Sequence, residues 1–190
     1  MIQTITWRLS LEEARMEARE RNRQILIDLY NPTLVGSRYM QEHTYTDPRV
    51  HRFVDEFVIP VRFDLKEDPG ALIRYHAFWT PCIILSDIDD NEHRRSYGVL
   101  SVEQFLAEFW VGYGLLLLNT RRVNEAIDVL ERARIYTAVD SVRNAENHYW
   151  LGVAKYQVTG DIKELEYEWQ KLRADHPSSD WARKTDYYFD

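Results

Sequence analysis

Cysteine is almost absent from this sequence of 190 residues, in which Cys82 stands alone. One cysteine cannot form an intrachain disulfide, and it cannot supply a cysteine-based zinc cluster. Disulfide-stabilised folds belong to oxidising compartments. The scarcity of cysteine therefore predicts a protein of a reducing compartment, most simply the cytoplasm.

Glycine and proline are also scarce, with 7 and 6 residues, which excludes collagen-like and low-complexity chains. The longest apolar run lies near Leu115–Leu118, far short of the roughly 20 residues that a membrane-spanning helix needs. The first residues, MIQTITWRLS, contain no basic segment followed by an apolar stretch, so we expect no signal peptide. Because 45% of the residues are hydrophobic and 13% aromatic, the chain is expected to fold.

Positive charge is in deficit, since 24 Lys and Arg residues face 31 Asp and Glu residues and leave a net charge of −7. An acidic chain without a basic run is a poor candidate for binding nucleic acid or an anionic membrane. The sequence has no metal-binding histidine motif and no glycine-rich phosphate loop. We therefore expect no metal and no cofactor, and we interpret the acidic tract Asp87–Glu92 as a hairpin turn.

The first half of the chain alternates between helical and strand patterns. Ser10 and Glu13 form a capping-box signature at the start of a helix, and Gln24–Tyr30 is a short apolar run typical of a strand buried on both faces. A second strand is predicted at Val58–Leu65, a third begins at Cys82, and a fourth is predicted in the segment RRSYGVL. This order predicts an α/β domain with a small mixed sheet over residues 1–108.

The second half, residues 109–190, shows only helical periodicity. Trp110, Gly114 and Leu130 lie at the spacings of a tetratricopeptide repeat (TPR), and a similar pattern returns about 38 residues later around Gly152 and Trp169. We therefore predict an all-α, TPR-like segment whose apolar stripes form a core and do not bind a cofactor.

Four segments of the first half together resemble bacterial thioredoxin-like proteins. They are TWRLSLEEARMEA, ILIDLYNPTLVGSRYM, TDPRVHRFVDEFVIPVRFDL and YHAFWTPCIIL, and they occur in the order and spacing of that family. The resemblance covers about 100 residues. It implies a thioredoxin-like three-layer sandwich with a mixed central sheet, and it implies a loop with a cis-proline ahead of the strand that begins at Cys82.

The chain departs from the family at the two positions that carry the family's chemistry. Aligning Asp28 and Met40 with the family pattern places Leu34 and Ser37 where the two cysteines of the C-x-x-C motif stand. Disulfide exchange needs one thiolate to attack and a second thiol to resolve the mixed disulfide. The usual dithiol chemistry is therefore excluded.

Three other parts of the family's site are retained or altered. Asp28 aligns with a buried acid, which without thiols we interpret as a core carboxyl satisfied by hydrogen bonds. Thr80 and Pro81 form the expected cis-proline bond, beside which the family binds extended peptides by strand addition. Trp79 occupies a place that is usually small, where it either anchors a partner or packs against Leu34.

Cys82 follows Pro81 directly and is the only thiol that could retain any redox role. A free cysteine at the start of a strand is usually a small buried apolar residue, whereas a reactive one needs an electropositive and partly exposed setting. The nearest basic residues in sequence, Arg74 and His76, are not adjacent to it.

The leading hypothesis is a redox-inactive module that binds a protein or peptide through the cis-proline groove and the helical extension. Its candidate binding residues are Leu34, Ser37, Trp79, Thr80 and Pro81. One alternative is a monothiol oxidoreductase or redox sensor that uses Cys82, with Asp28 as a further weak catalytic candidate. The other alternative is a homo-oligomeric scaffold built through the helical half, which contains four of the six tryptophans.

Overall fold

The computed structural model describes residues 4–189, and its first helix begins as the capping signature predicts. Helix α1 spans Leu11–Arg21, and the Ser10 side chain accepts a hydrogen bond from the backbone N–H of Glu13. The helix ends at Asn22, which adopts the left-handed conformation common at helix C-termini.

A four-stranded mixed sheet forms the centre of the first half. Its strands are β1 Gln24–Tyr30, β2 Val58–Asp64, β3 Cys82–Ser86 and β4 Glu92–Tyr97. The spatial order is β2-β1-β3-β4, with β1 and β2 parallel and with β3 antiparallel to both of its neighbours. Because β1 is central, its residues are almost all buried, as the continuous apolar run predicts.

Helices cover both faces of this sheet. They are α2 Val35–Tyr39, which continues as a π-helical turn over Met40–Thr44, then α3 Pro48–Phe57 and α4 Ala71–Arg74. Alternate residues of β1 point to opposite faces. Ile25 and Ile27 pack in a core cluster with Ala14 and Ala18 of α1, whereas Asp28 faces the other layer, where Tyr45 lies.

The fourth strand differs from the prediction, because it begins at Glu92 and ends at Tyr97. Asp87 accepts hydrogen bonds from the backbone N–H groups of Asp89 and Asn91 and thereby closes a turn shorter than expected. Gly98 ends the strand with a φ of +85°, a conformation that glycine adopts without the strain of a side chain. The chain therefore leaves β4 after Tyr97 and approaches Pro81.

The chain divides into two compact units, one ending at Leu106 and the next beginning at Ala107. Helix α5 runs from Val102 to Asn119 across this division. The further helices are α6 Val123–Thr137, α7 Ser141–Thr159, α8 Ile162–Asp175, α9 Asp180–Arg183 and α10 Asp186–Phe189. No helix within residues 4–189 is long and apolar enough to cross a membrane.

Two glycines allow close helix packing in the second unit. A Cβ atom at Gly114 of α5 would lie 2.5 Å from Leu130 Cδ2, and one at Gly152 of α7 would lie 3.1 Å from Glu168 Cβ. Real side chains could not occupy the first position without displacing Leu130. Each glycine therefore lets its helix pack closely against a residue sixteen positions later in the sequence. The contacting residues of the α5–α6 pair and of the α7–α8 pair thus have the same sequence separation.

Candidate functional site

The segment that aligns with the C-x-x-C motif lies directly against Pro81. Leu34 is the N-cap of α2, and the turn before it is held by Asn31, whose side-chain oxygen accepts from the backbone N–H of Thr33. A Cβ atom at Gly36 would lie 3.2 Å from Pro81 Cδ and 2.7 Å from Val99 Cγ2. Only glycine permits this close approach. Gly36 therefore allows the start of α2 to pack directly against the loop that contains Pro81.

The bond between Thr80 and Pro81 is cis, and a second segment completes the site from the other side. The Gly98 N–H donates a hydrogen bond to the Pro81 carbonyl at 2.8 Å, which brings Val99 beside the proline. Three separated parts of the chain thus meet at one place: the start of α2, the proline loop and the end of β4.

Together these segments form an open groove with a volume of about 380 Å³. Its lining residues are Leu34, Val35, Gly36, Trp79, Thr80, Pro81, Gly98 and Val99. No ionisable side chain is among them. Trp79 remains 60% exposed, so its indole does not fill the space over Leu34, and the groove stays open.

Ser37 differs from its prediction as a groove residue, because its side chain is buried. Its hydroxyl oxygen accepts a hydrogen bond from the backbone N–H of Asn31 at 3.2 Å, which braces the turn before α2. The groove also includes four residues that were not predicted as groove residues: Val35, Gly36, Gly98 and Val99. The position of Val99 depends on how β4 ends, and no local motif indicates it.

Cys82 lies behind the groove, in the interior of the sheet. Its side chain is fully buried in the core cluster that contains Ile27 and Ile84, and burial raises the pKa of the thiol to about 11. A thiol that is protonated at neutral pH and hidden from solvent is neither a nucleophile nor an accessible redox sensor. The burial of Cys82 and the raised pKa of its thiol therefore count against the monothiol alternative, which stays a prediction.

Asp28 is a core carboxyl with a partner that the sequence analysis missed. It faces Arg62 across the β1–β2 pair, and the Arg62 Nε and Nη2 atoms donate to Asp28 Oδ2 at 2.9 and 2.7 Å. Burial raises the pKa of Asp28, and the Arg62 guanidinium opposes that rise. The Asp28 carboxyl therefore has its hydrogen-bond partner within the core, in agreement with the interpretation of Asp28 as a core carboxyl.

Aromatic rings enclose the Arg62 guanidinium. Its carbon lies 4.2 Å from the centroid of the Trp7 ring and 4.3 Å from that of Tyr30, with Tyr45 further away. Trp7 is held there because Arg8 pairs with β2 through its N–H to the Pro60 carbonyl. Such contacts stabilise a buried cation through the ring quadrupoles.

Comparison with known proteins identifies the class of this first unit. Residues 6–87 match the model of a family described as thioredoxin-like. This part of the chain is therefore a thioredoxin-like domain, and it lacks the C-x-x-C motif because the chain has one cysteine. The predicted fold class, a thioredoxin-like sandwich followed by a helical segment, is confirmed. No curated protein matches the sequence.

One solved structure supports this assignment of fold, and two others are similar at lower scores. A candidate disulphide-isomerase from Bacteroides thetaiotaomicron superposes with a TM-score of 0.53 at 16% identity, covering 60% of this chain and 96% of that protein. A thioredoxin from Thermus thermophilus gives 0.49 at 18% identity, covering 56% and 85%. The oxidised C-terminal domain of DsbD from Neisseria meningitidis gives 0.44 at 16% identity, covering 53% and 93%.

Proposed function

We propose that this protein is a redox-inactive thioredoxin-fold module that binds an extended segment of a partner protein in the groove beside Pro81. The observation that carries the proposal is that the groove is open and apolar, although Leu34 and Ser37 stand where the family has its two cysteines. Exposed apolar surface that is built into a rigid scaffold typically marks a binding site. The scarcity of cysteine favours a reducing compartment, and we propose the cytoplasm as its location.

The backbone of Thr80 supports binding by strand addition. Within residues 4–189, neither the N–H nor the C=O group of Thr80 forms a hydrogen bond, although the residue is largely buried. Polar backbone groups at such depth are normally paired. An extended peptide that lies in the groove would satisfy both groups, and this mode of binding requires no sulfur atom.

Selection from a displayed library of random nine-residue peptides tests this proposal directly. We expect the immobilised protein to enrich particular sequences over several rounds. Val99→Asp should abolish the enrichment, because the carboxylate would lie in the apolar groove and would resist desolvation. Trp79→Ala should weaken binding of the enriched peptides by about ten-fold or more, as is typical for loss of an aromatic anchor.

The matched control is Ile73→Asp. Ile73 is 79% exposed and lies on α4, outside the groove lining. This variant should select the same peptides as the unmodified protein. Enrichment that survives Val99→Asp, or that no variant distinguishes from the bare support, would refute binding in the groove.

A second expected result concerns redox activity. The protein should not accelerate the reduction of insulin by dithiothreitol above the rate seen with its own Cys82→Ala variant. The physical reason is that Leu34 and Ser37 provide neither an attacking thiolate nor a resolving thiol. Turbidity of precipitating insulin chains measures the rate, and a rate that depends on Cys82 would contradict the proposal. The scaffold alternative, a homo-oligomer formed through the helical half, stays a prediction.

A further inference from the structure

The chemistry of the groove restricts which segment it can hold. Its side chains are aliphatic or aromatic except for the hydroxyl of Thr80, and the large apolar ones are Leu34, Trp79 and Val99. A charged side chain placed here would lose its water without gaining a counter-ion. A large apolar side chain would instead gain contact with this apolar lining.

The cations nearest to the groove along the chain are already engaged. Arg38 donates to the carbonyl oxygens of Pro32 and Thr33, each at 3.0 Å. Arg74 pairs with Asp68, and Arg95 pairs with Glu92 while also donating to the Tyr75 carbonyl. These guanidinium groups therefore do not provide an unpaired positive charge for an acidic residue of a ligand.

The apolar surface also continues beyond the groove. Phe78 precedes Trp79 and is 79% exposed, and its ring lies against that of Tyr97 with 4.4 Å between centroids. A peptide that pairs with Thr80 would therefore meet a second aromatic side chain close to the first. Two neighbouring aromatic contacts favour a partner that is apolar at more than one position.

We infer that the groove recognises an uncharged extended segment anchored by a large apolar side chain, aromatic or branched aliphatic, and that a cysteine in the ligand makes no contribution. This inference rests on the proposed function and specifies the class of partner. It makes Trp79 the specificity-determining residue and Phe78 an auxiliary contact.

The test uses the peptides enriched by the library selection together with synthetic derivatives of the tightest one. The position whose alanine substitution costs most affinity is replaced in turn by Leu, Phe, Asp, Lys and Cys, and affinities are measured by fluorescence anisotropy. We expect Leu and Phe to bind at least about ten-fold more tightly than Asp or Lys. Cys should bind no better than Ala, and adding a reductant should change nothing.

The variants separate this inference from the proposal on which it depends. Trp79→Ala should reduce the preference for Phe over Asp, whereas Tyr39→Ala, an exposed aromatic residue outside the groove lining, should leave it unchanged. Selected peptides that share a charged anchor or an essential cysteine would overturn the inference while peptide binding stood. A complete absence of groove-dependent enrichment would overturn both.

Discussion

Replacing Arg62 by methionine is expected to lower the free energy of unfolding by about 3–5 kcal/mol at pH 8, the range seen when one member of a buried ion pair is removed. Methionine retains much of the apolar stem but removes the guanidinium. Asp28, whose side chain is only 2% exposed, then has no counter-ion in the core. The rings of Trp7 and Tyr30 also lose the cation that they enclose.

The loss should depend on pH in a defined direction. Burial raises the pKa of Asp28 in the folded protein even with Arg62 present, and removing Arg62 removes the main opposing interaction. A carboxyl whose folded pKa exceeds its unfolded value destabilises the fold increasingly as pH rises from the unfolded pKa to the folded one. The Arg62→Met variant should therefore be closer in stability to the unmodified protein at pH 5 than at pH 8.

Urea denaturation followed by tryptophan fluorescence at both pH values measures these differences. Arg74→Met is the matched control, because Arg74 pairs with Asp68 at the surface, where an ion pair contributes at most about 1 kcal/mol. Adding Asp28→Asn to Arg62→Met should recover part of the loss and remove its pH dependence. A loss no greater than that of Arg74→Met would show that Asp28 does not depend on Arg62.

Local sequence signals predicted the elements of the fold. The Ser10–Glu13 pair predicted the start of α1, and the continuous apolar pattern of Gln24–Tyr30 predicted a central strand. Asp47 followed by Pro48 is a local signal of the same kind at the start of α3, where the Asp47 side chain caps the helix. Each of these signals depends on contacts within a few residues, so the sequence alone contains the information that decides them.

The site depends on contacts between distant residues, which explains the predictions that failed. Ser37 was assigned to the groove by alignment, but the turn at Asn31 directs its hydroxyl inward. Val99 reaches Pro81 because β4 ends at Tyr97 and Gly98 turns the chain, a boundary that was placed too late in the sequence analysis. Arg62 could have been inferred as a partner of Asp28, since an isolated arginine within an apolar strand needs a buried acid.

The second large effect is expected in the helical unit, where Glu168 is fully buried beside two cations and a histidine. Arg134 and Lys155 donate to its Oε1 atom at 2.7 and 2.9 Å, and His148 Nδ1 lies 2.9 Å from Oε2. These groups belong to α6, α7 and α8, so one carboxylate connects three helices. Lys155 also pairs with Glu131, which extends the network towards the surface.

Glu168→Gln should lower the free energy of unfolding by roughly 3 kcal/mol at neutral pH. Burial by itself would raise the pKa of Glu168, but the hydrogen bonds from His148 and Lys155 and the charge of Arg134 lower it from 4.5 to about 2. A shift of this size corresponds to about 3 kcal/mol in favour of the folded, ionised state. Glutamine keeps the shape of the side chain but leaves the cations without their counter-ion.

The direction of the pH dependence is opposite to that of Asp28 and provides the decisive check. A carboxyl with a lowered pKa stabilises the fold fully above its unfolded value near 4.5, and this contribution disappears as pH falls towards 2. The difference between the unmodified protein and Glu168→Gln should therefore shrink as pH falls below about 4.5. Denaturation followed by circular dichroism at 222 nm reports on these helices.

Glu125→Gln is the matched control, because it removes only a surface ion pair with Arg122. It should change the free energy of unfolding by less than about 1 kcal/mol at every pH. Equal losses for the two variants would show that the buried network does not hold the three helices together.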